Sequence, residues 1–229
     1  MTSKGTEAGG VPRPDDGLNS AATDDLVRRL QSGDDAAFDG LVGAFGGVVF
    51  NIAYRMTGKS EDADDLTQEV FVKLYRSIGQ FGWKSKFSTW LYTLALNTCR
   101  SGLRKLTRVS RMEVVSLDDR EDADGAPSAR EPADPHDPPN RQMERVELQA
   151  EIQHVISGLP PEFREAVVLR DLQGLAYEEI ADALQCSVGT VKSRLARGRM
   201  RVKTKLGEWK VGRSERWNVE GARDAEARM

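Results

Sequence analysis

A run of basic residues in the last third of the chain has the composition of a helix that contacts DNA. From Val188 to Lys205 there is no acidic residue and there are seven basic ones, namely Lys192, Arg194, Arg197, Arg199, Arg201, Lys203 and Lys205. Side chains of this type at this density bind phosphates with release of counterions, and arginine can hydrogen-bond guanine in the major groove. An ordinary amphipathic helix with a solvated basic face would carry the same charges. The residues around this run are therefore needed to distinguish a DNA-binding helix from a purely structural one.

The residues before this run predict a helix-turn-helix. A first helix places Ile180, Ala181 and Leu184 on its inner face, and the small Ala181 lets two helices cross closely. Ser187 stands at the N-cap position of the second helix. Gln185 falls near the turn position that often needs a left-handed backbone, which costs a residue other than glycine about 1 kcal/mol. Turn, cap and basic face coincide, and this favours DNA binding over a purely structural helix pair.

A second basic region, residues 76–111, carries eight basic residues and no acidic one. Aromatic side chains are interleaved with these cations: Phe81, Trp83, Phe87, Trp90 and Tyr92. Aromatic faces stack on unpaired bases for about 1–3 kcal/mol per base, while cations hold the phosphates, so the region suits single-stranded nucleic acid. In the alternative interpretation, Trp90 and Tyr92 are core residues of an apolar helix. Phe81 and Trp83 lie on a predicted loop, Ile78 to Phe87, which we call the aromatic loop and where burial is less assured.

The charge reverses directly upstream, where residues 60–70 hold five acidic residues and no basic one. Acidic residues in the first turn of a helix interact well with its dipole, which is the plain explanation. Five acidic residues are more than the helix dipole requires. In addition, the apolar residues Leu66, Phe71 and Val72 do not all lie on one face of the helix. A helix that starts at Ser60 or the next residue and ends near Ser77 is therefore predicted to carry a protein-binding surface.

Helical spacing of apolar residues runs through the chain, with breaks at 32–34, 58–60, 158–161 and 173–174. Polar and apolar residues alternate nowhere for long enough to indicate a sheet, so we predict an all-α protein. A further helix is expected from Trp90 to about Leu106, capped by Ser88 or Thr89.

The composition divides the chain into two small helical domains. Residues 117–139 hold eight acidic residues, two basic ones and five prolines, which predicts a flexible acidic linker. The second domain is expected to be a winged-helix-like helix-turn-helix domain that binds DNA. The predicted divisions are a disordered tail (1–23), a first domain (24–112), an acidic proline-rich linker (113–141), a second domain (142–207) and a polar tail (208–229).

Composition also excludes several classes of function. Two histidines and two distant cysteines give no material for a zinc site or a Ser-His-Asp set, so we predict no metal, cofactor, catalytic residue or small-molecule substrate. Cys99 and Cys186 are expected to be free thiols in a reducing compartment, as small buried residues rather than a redox sensor. No signal-peptide core or apolar run of about 20 residues is present, which predicts a soluble cytoplasmic protein without membrane insertion.

Taken together, residues 37–106 and 146–206 resemble bacterial RNA polymerase sigma factors of the extracytoplasmic-function group. The sequence DDLTQEVF at 64–71 is similar to the helix that grips the polymerase clamp. The sequence FSTWLYTLALN at 87–97 is similar to the promoter-melting helix. Residues 159–164 and 180–194 are similar to the domain that reads the upstream promoter element.

The resemblance implies a role for each of the three charged surfaces. Binding of core RNA polymerase is assigned to Asp62, Asp65, Leu66, Gln68, Glu69, Phe71 and Val72. Recognition and melting of the −10 element, with capture of a flipped base, is assigned to Phe81, Trp83, Lys84, Lys86, Phe87, Trp90, Asn97 and Arg100. Reading of the −35 duplex in its major groove is assigned to Thr190, Lys192, Ser193, Arg194, Ala196, Arg197 and Arg201.

The leading hypothesis is a non-enzymatic promoter-specificity subunit that initiates transcription of a stress- or signal-responsive regulon. The resemblance also implies an anti-sigma protein that covers the clamp and promoter surfaces. The alternative is an autonomous helix-turn-helix regulator that dimerises on palindromic sites, which leaves the aromatic loop without a role. An enzyme ranks third, because no nucleophile–base set, P-loop or metal cluster is present in the sequence.

Overall fold

The computed structural model describes residues 20–113 and 139–226, and all regular structure in these two ranges is helical. The helices of the first range are α1 (Ala21–Gln31), α2 (Ala36–Thr57), α3 (Ser60–Ser77) and α4 (Phe87–Glu113). Those of the second are α5 (Pro139–Ser157), α6 (Pro161–Val167), α7 (Tyr177–Leu184) and α8 (Val188–Glu226). A 3-10 turn over Ile78–Gln80 follows α3, and a π-helical turn over Val168–Leu172 follows α6.

The first domain packs α2, α3 and α4 around a shared apolar core. Phe45 and Ile52 of α2, Leu74 of α3 and Leu91 of α4 are fully buried. Within each helix the buried apolar residues recur every three to four residues, or at multiples of that spacing, so they lie on one face. At Gly102 the helices approach so closely that an added Cβ would lie 2.5 Å from Leu66 Cδ2 on α3. Helix α4 is therefore held firmly against α3.

The second domain packs α6, α7 and α8 around Leu169, Leu175, Ile180, Val191 and Leu195, which are 2% exposed or less. Helices α6 and α8 cross at a second close approach. A Cβ added at Gly198 would lie 2.8 Å from Val167 Cγ2 and 3.5 Å from the Phe163 carbonyl oxygen. This crossing holds the third turn of α8 against α6, while the buried Val191 and Leu195 pack its first turns into the domain core.

The two domains contact each other through α2 with α5 and through α4 with α7. Gln153 of α5 donates its side-chain amide to the carbonyl of Tyr54 at 2.8 Å and accepts from Arg55 at 3.0 Å. Arg164 of α6 donates to the carbonyl of Met56. Side chains of α5 and α6 thus satisfy backbone groups in the last turn of α2.

Most helix boundaries follow the predicted breaks. The bounds of α3 are those predicted, Ser60 to Ser77, and the predicted break at residues 32–34 separates α1 from α2. Gly58 ends α2 in the left-handed conformation, with φ of 83°. The break at residues 158–161 is also confirmed, since α5 ends at Ser157 and α6 starts at Pro161.

The predicted starts of two helices are wrong. Helix α4 starts at Phe87 rather than Trp90, because Phe87 packs edge-on against Phe45 in the core and carries Ser88 and Thr89 into the buried helix. Helix α5 starts at Pro139, ahead of the predicted residue 142, since proline is favourable in a first turn where its missing N–H costs nothing.

The ends of the domains also differ from prediction. Helix α4 continues past Leu106 to Glu113, and α8 continues through the predicted polar tail to Glu226. Helix α1 begins at Ala21, inside the predicted N-terminal tail, with the Ser20 hydroxyl accepting from Thr23. The rest of that tail (1–19) and most of the predicted linker (114–138) lie outside the described residues.

Helix α2 is long and apolar enough to cross a membrane by length and composition alone, with a mean hydropathy of 1.5. Its apolar face nevertheless packs against α1, α3 and α4, and Leu41, Val49 and Ala53 are fully buried. A core helix of a helical domain has these properties without any membrane.

Candidate nucleic-acid interface

The helix-turn-helix consists of α7, a three-residue turn and the start of α8. Gln185 occupies the left-handed region with φ 50° and ψ 50°, so the predicted left-handed turn position is confirmed. The Ser187 hydroxyl accepts the backbone N–H of Thr190 at 3.1 Å, which confirms the predicted N-cap. Val191 and Leu195 are buried, so the opposite face of α8 is presented to solvent.

The predicted −35 residues lie along the first turns of this helix. Thr190 and Arg194 are half-buried, the Thr190 side chain beside Ser187 and the Arg194 guanidinium 3.9 Å from Cys186 Sγ. The other five are exposed: Lys192, Ser193, Ala196, Arg197 and Arg201. The Arg201 guanidinium lies 5.1 Å from the Phe163 ring centroid, which ties it to α6.

A cluster that the sequence interpretation missed supports the base of the basic face. The centroid of the Tyr177 ring lies 4.7 Å from the Arg170 guanidinium carbon and 5.8 Å from Lys192 Nζ. Asp171 accepts from Arg199 through both carboxylate oxygens, and this pairing raises the pKa of Arg199. Lys205 also lies 3.2 Å from Glu208, so two of the seven cations are already paired within the chain. The signal available in the sequence was Asp171 itself, just before the turn at 173–174.

The aromatic loop has a buried floor and an exposed tip. Phe81 and Phe87 are 3% and 2% exposed, and their rings contact each other and Trp90 at centroid distances of 5.4–6.0 Å. Trp90 is half-buried against the core, in line with the core alternative, and Tyr92 is fully buried. Trp83 is 38% exposed. Of the aromatics in this loop and the start of α4, Trp83 is thus the most exposed to solvent.

Trp83 also has an unusual backbone. Its φ of 58° lies in the left-handed region, which costs a residue with a Cβ about 1–2 kcal/mol. Its indole N–H donates to the side-chain oxygen of Gln31 at 3.0 Å, and Arg28 lies 4.6 Å from the ring centroid. Helix α1 therefore holds the loop tip, a contact that the sequence interpretation missed.

The predicted −10 residues on and before α4 meet the second domain. The Arg100 guanidinium donates to both carboxylate oxygens of Glu165, at 2.5 and 2.6 Å, and to Asn97 at 3.0 Å. Lys86 Nζ lies 3.3 Å from Glu179, while Lys84 is exposed. In this arrangement, Arg100 and Lys86, which are predicted to contact DNA, are ion-paired with carboxylates of the second domain.

These contacts shift the pKa values of the groups involved. The hydrogen bonds that Arg100 donates to Glu165 raise the pKa of Arg100. Burial acts to raise the pKa of the Glu179 carboxyl, but the Ala176 amide, Lys86 and a hydrogen bond from Thr89 outweigh it, and the pKa is lowered. Both groups are therefore held in their charged forms.

The predicted polymerase-binding residues divide by burial. Leu66 and Phe71 are 5% and 6% exposed and belong to the core of the first domain. The remaining residues form an outward surface on α3, with Asp62 half-buried and the others exposed: Asp65, Gln68, Glu69 and Val72. Glu69 pairs with Lys73 at 2.7 Å. The surface is acidic with an apolar point at Val72, which is 48% exposed.

Both cysteines are free thiols, as predicted. Cys99 is fully buried, and burial together with Glu69 raises its pKa to about 12. Cys186 is half-buried at the turn before α8. Among the described residues, no group of three or more histidine, cysteine, aspartate or glutamate side chains is placed to hold a metal ion.

Comparison with known families matches both domains. Residues 41–109 match the family described as Sigma-70 region 2, and residues 149–202 match Sigma-70, region 4. The first match covers α3, the aromatic loop and most of α4, and the second covers the helix-turn-helix. Together these two matches place the chain in the sigma-70 class of proteins.

Curated relatives extend over most of the chain. The RNA polymerase sigma-H factor of Pseudomonas aeruginosa is 37% identical over 174 residues, or 76% of this chain and 88% of the relative. The ECF RNA polymerase sigma-E factor of Haemophilus influenzae is 37% identical over 181 residues, covering 79% and 93%. The sigma-E factor of Escherichia coli is 36% identical over 181 residues, covering 79% and 92%.

Solved structures share the fold. CnrH, in complex with the cytosolic domain of CnrY, gives a TM-score of 0.57 at 24% identity and covers 82% of this chain and 98% of its own. The sigma factor RpoE of Bartonella quintana, in complex with the anti-sigma factor NepR, gives 0.58 at 23% identity and covers 74% and 96%. The chain belongs to the extracytoplasmic-function sigma factors, the subunits that give bacterial RNA polymerase its promoter specificity.

Proposed function

We propose that this sigma factor divides its work among three surfaces: α3 for core polymerase, the aromatic loop with α4 for the −10 strand, and the start of α8 for the −35 duplex. The observation that carries the proposal is the helix-turn-helix, in which Gln185 and Ser187 set the start of a basic helix beside a close-packed α7. The alternative, an autonomous dimeric regulator, assigns no function to the aromatic loop or to the acidic surface of α3.

For the −35 element, the exposed face of α8 supplies the contacts. Lys192, Ser193 and Arg197 are exposed within two turns, as required of a recognition helix that enters the major groove. Arg197 supplies a planar fork suited to guanine, and Lys192, backed by Tyr177, supplies a phosphate contact. Arg199 is paired with Asp171 and acts in the domain rather than on the base edges.

For the −10 element, Trp83, Lys84 and Asn97 are the contacts that the geometry supports best, because all three are exposed. Phe81 and Phe87 are assigned a different role from direct stacking. As buried rings they form the floor on which Trp83 and Trp90 rest. Stacking of a captured base on the exposed Trp83 ring, at about 1–3 kcal/mol per base, then offsets the few kcal/mol that unstacking of the base costs.

For core polymerase, Asp65, Gln68, Glu69 and Val72 form the docking surface on α3. An acidic rim around an apolar point is a common composition for a protein interface that also steers its partner by charge. Leu66 and Phe71 hold α3 in the domain and keep this surface in place.

The regulatory setting follows from the family. We infer that the chain has no catalytic activity of its own, works in the cytoplasm where its polymerase is, and serves a stress- or signal-responsive regulon. We also infer an anti-sigma protein as a partner. Among the structural neighbours, RpoE is bound to the anti-sigma factor NepR, and CnrH is bound to the cytosolic domain of CnrY.

Run-off transcription with core RNA polymerase on a genomic promoter library tests the proposal. We expect transcripts that depend on the chain and share two upstream motifs, one near −35 and one near −10. Tight binding of the chain to palindromic duplexes without polymerase, together with a failure to stimulate transcription, would instead favour the autonomous regulator.

A further inference from the structure

One side chain at the end of α1 fixes three points of the aromatic loop. Gln31 donates its amide N–H groups to the carbonyl oxygens of Ile78 and Phe81, both at 2.9 Å. Its own oxygen accepts the indole N–H of Trp83 at 3.0 Å. The donor and acceptor ends of the same amide are therefore both used on the segment that joins α3 to α4.

Helix α1 gives Gln31 a fixed position. Val27 and Leu30 anchor the last turn of that helix in the core at 0% and 5% exposure. Arg28, on the same turn, lies 4.6 Å from the Trp83 ring centroid. The loop is thus tied to an element of the folded core rather than to its own neighbours.

Apart from the ion pair of Lys86 with Glu179, the loop has little else to define its shape. Residues 82–86 are all exposed, and Trp83 holds a left-handed backbone that its Cβ disfavours. A strained conformation persists only where its surroundings determine it. Here those surroundings are the Gln31 amide, the Arg28 guanidinium and the Phe81 ring, 5.0 Å from the indole.

We propose that Gln31 is a positioning residue for −10 recognition, which holds the aromatic loop in its base-receiving shape before DNA arrives. The proposal rests on the −10 role given to the loop in the proposed function. An already ordered loop binds a strand without the cost of immobilising its side chains at that moment. Gln31 does not touch the strand; it acts through Phe81 and Trp83.

The test uses holoenzyme reconstituted with core polymerase and two variants, Gln31→Met and Trp83→Phe. The first keeps the length of the side chain and removes all three hydrogen bonds, and the second keeps an aromatic ring and removes the indole donor. The probe is the single-stranded −10 segment of a promoter found by the transcription screen. Each base of that probe is replaced in turn by an abasic site.

We expect wild-type holoenzyme to lose about tenfold in affinity at the abasic position of the captured base, and Gln31→Met to lose most of that discrimination. The effects of Gln31→Met and Trp83→Phe should be less than additive in the double variant, because they break a shared bond. Gln80→Met makes the same substitution on the exposed 3-10 turn nearby and should keep wild-type discrimination.

The outcomes separate the inference from the function beneath it. If wild-type holoenzyme shows no abasic-sensitive position, the −10 role of the loop fails. If that role holds and Gln31→Met discriminates like wild type, Gln31 is only structural and the inference fails. Should Gln31→Met unfold, unchanged discrimination by Trp83→Phe would overturn the inference in the same way.

Discussion

Arg197 and Arg199 lie two positions apart on α8, yet only one of them is free to reach a base. Arg199 is bound by Asp171, whereas Arg197 is exposed. We expect Arg197→Ala to weaken −35 duplex binding about tenfold, within the roughly 1–3 kcal/mol that a base-contacting arginine contributes. Band-shift titration of holoenzyme on the −35 duplex measures this change.

Arg197→Lys is the matched control, because it keeps the charge and loses the planar fork. It should bind unrelated duplexes like wild type but discriminate less between −35 sequences. If Arg197→Ala loses core polymerase binding in a pull-down, the assignment of this residue to DNA alone is wrong.

The two thiols should differ in reactivity. The pKa of Cys99, about 12, leaves almost no thiolate at neutral pH, and the side chain is fully buried. An aromatic disulfide reagent is therefore expected to titrate Cys186 quickly and Cys99 only after denaturation. Two thiols titrated rapidly in the native chain would contradict this, and Cys186→Ser should remove the fast phase.

At the scale of elements, the crossing of α6 and α8 depends on Gly198. An added Cβ would press on Val167 Cγ2, and a β-branched side chain has little freedom to move away. Gly198→Ala should destabilise the second domain by about 1–3 kcal/mol, the usual cost of overpacking. Chemical denaturation measured by circular dichroism reports the change.

Gly207→Ala is the control on the same helix, since an added Cβ there meets nothing within 4 Å. Replacing an exposed helical glycine by alanine should stabilise by up to about 1 kcal/mol. Equal effects at the two positions would show that helix propensity, and not the crossing, decides the result at Gly198.

The elements themselves were largely predictable, because local chemistry sets them. Gly58 and Ser187 mark helix ends by their backbone freedom and hydroxyl, and these signals need no tertiary structure. The start of α4 was not predictable in this way. Phe87 is drawn into the helix by packing against Phe45, which lies more than forty residues away.

The site was predictable in composition and not in geometry. Charge and aromatic content indicated three surfaces, but burial separates Phe81 from Trp83, and no local pattern states which ring faces solvent. The pairings of Gln31 with Trp83 and of Arg100 with Glu165 join residues 52 and 65 positions apart. Such pairs depend on the folded arrangement of helices, which the sequence pattern alone leaves open.

At the scale of the whole molecule, the domains proposed to bind the −10 and −35 elements are in direct contact. Lys86 and Arg100 of the proposed −10 surface pair with Glu179 and Glu165 of the helix-turn-helix domain. On duplex DNA rising about 3.4 Å per base pair, the −35 and −10 elements lie roughly 85 Å apart. Binding both elements at once therefore requires the domains to separate.

The double variant Glu165→Gln with Glu179→Gln should favour separated domains. Each change removes a charge that holds a cation of the first domain, so the radius of gyration measured by small-angle X-ray scattering should increase. Glu178→Gln with Asp182→Asn makes the same charge change at exposed positions of α7 and should leave it unchanged. An unchanged radius in the first variant would show that apolar packing holds the domains together.

Lowering the pH should also favour separated domains, as the double variant Glu165→Gln with Glu179→Gln does. Because the pKa of Glu179 is lowered in the folded chain, its contribution to the contact is complete above its ordinary pKa. That contribution is lost as the pH falls through the lowered value. The radius of gyration is therefore expected to stay constant near neutral pH and to increase only well below the usual range of a carboxyl group.

The ion pairs between the domains also bear on how the free chain meets the chromosome. A genome offers about 10⁶–10⁹ non-specific sites that compete for any exposed cation. Arg100 and Lys86, paired internally with Glu165 and Glu179, must give up those partners before they can gain a phosphate. The closed chain consequently loses less of its population to random DNA, and more of it stays available to diffuse to a polymerase.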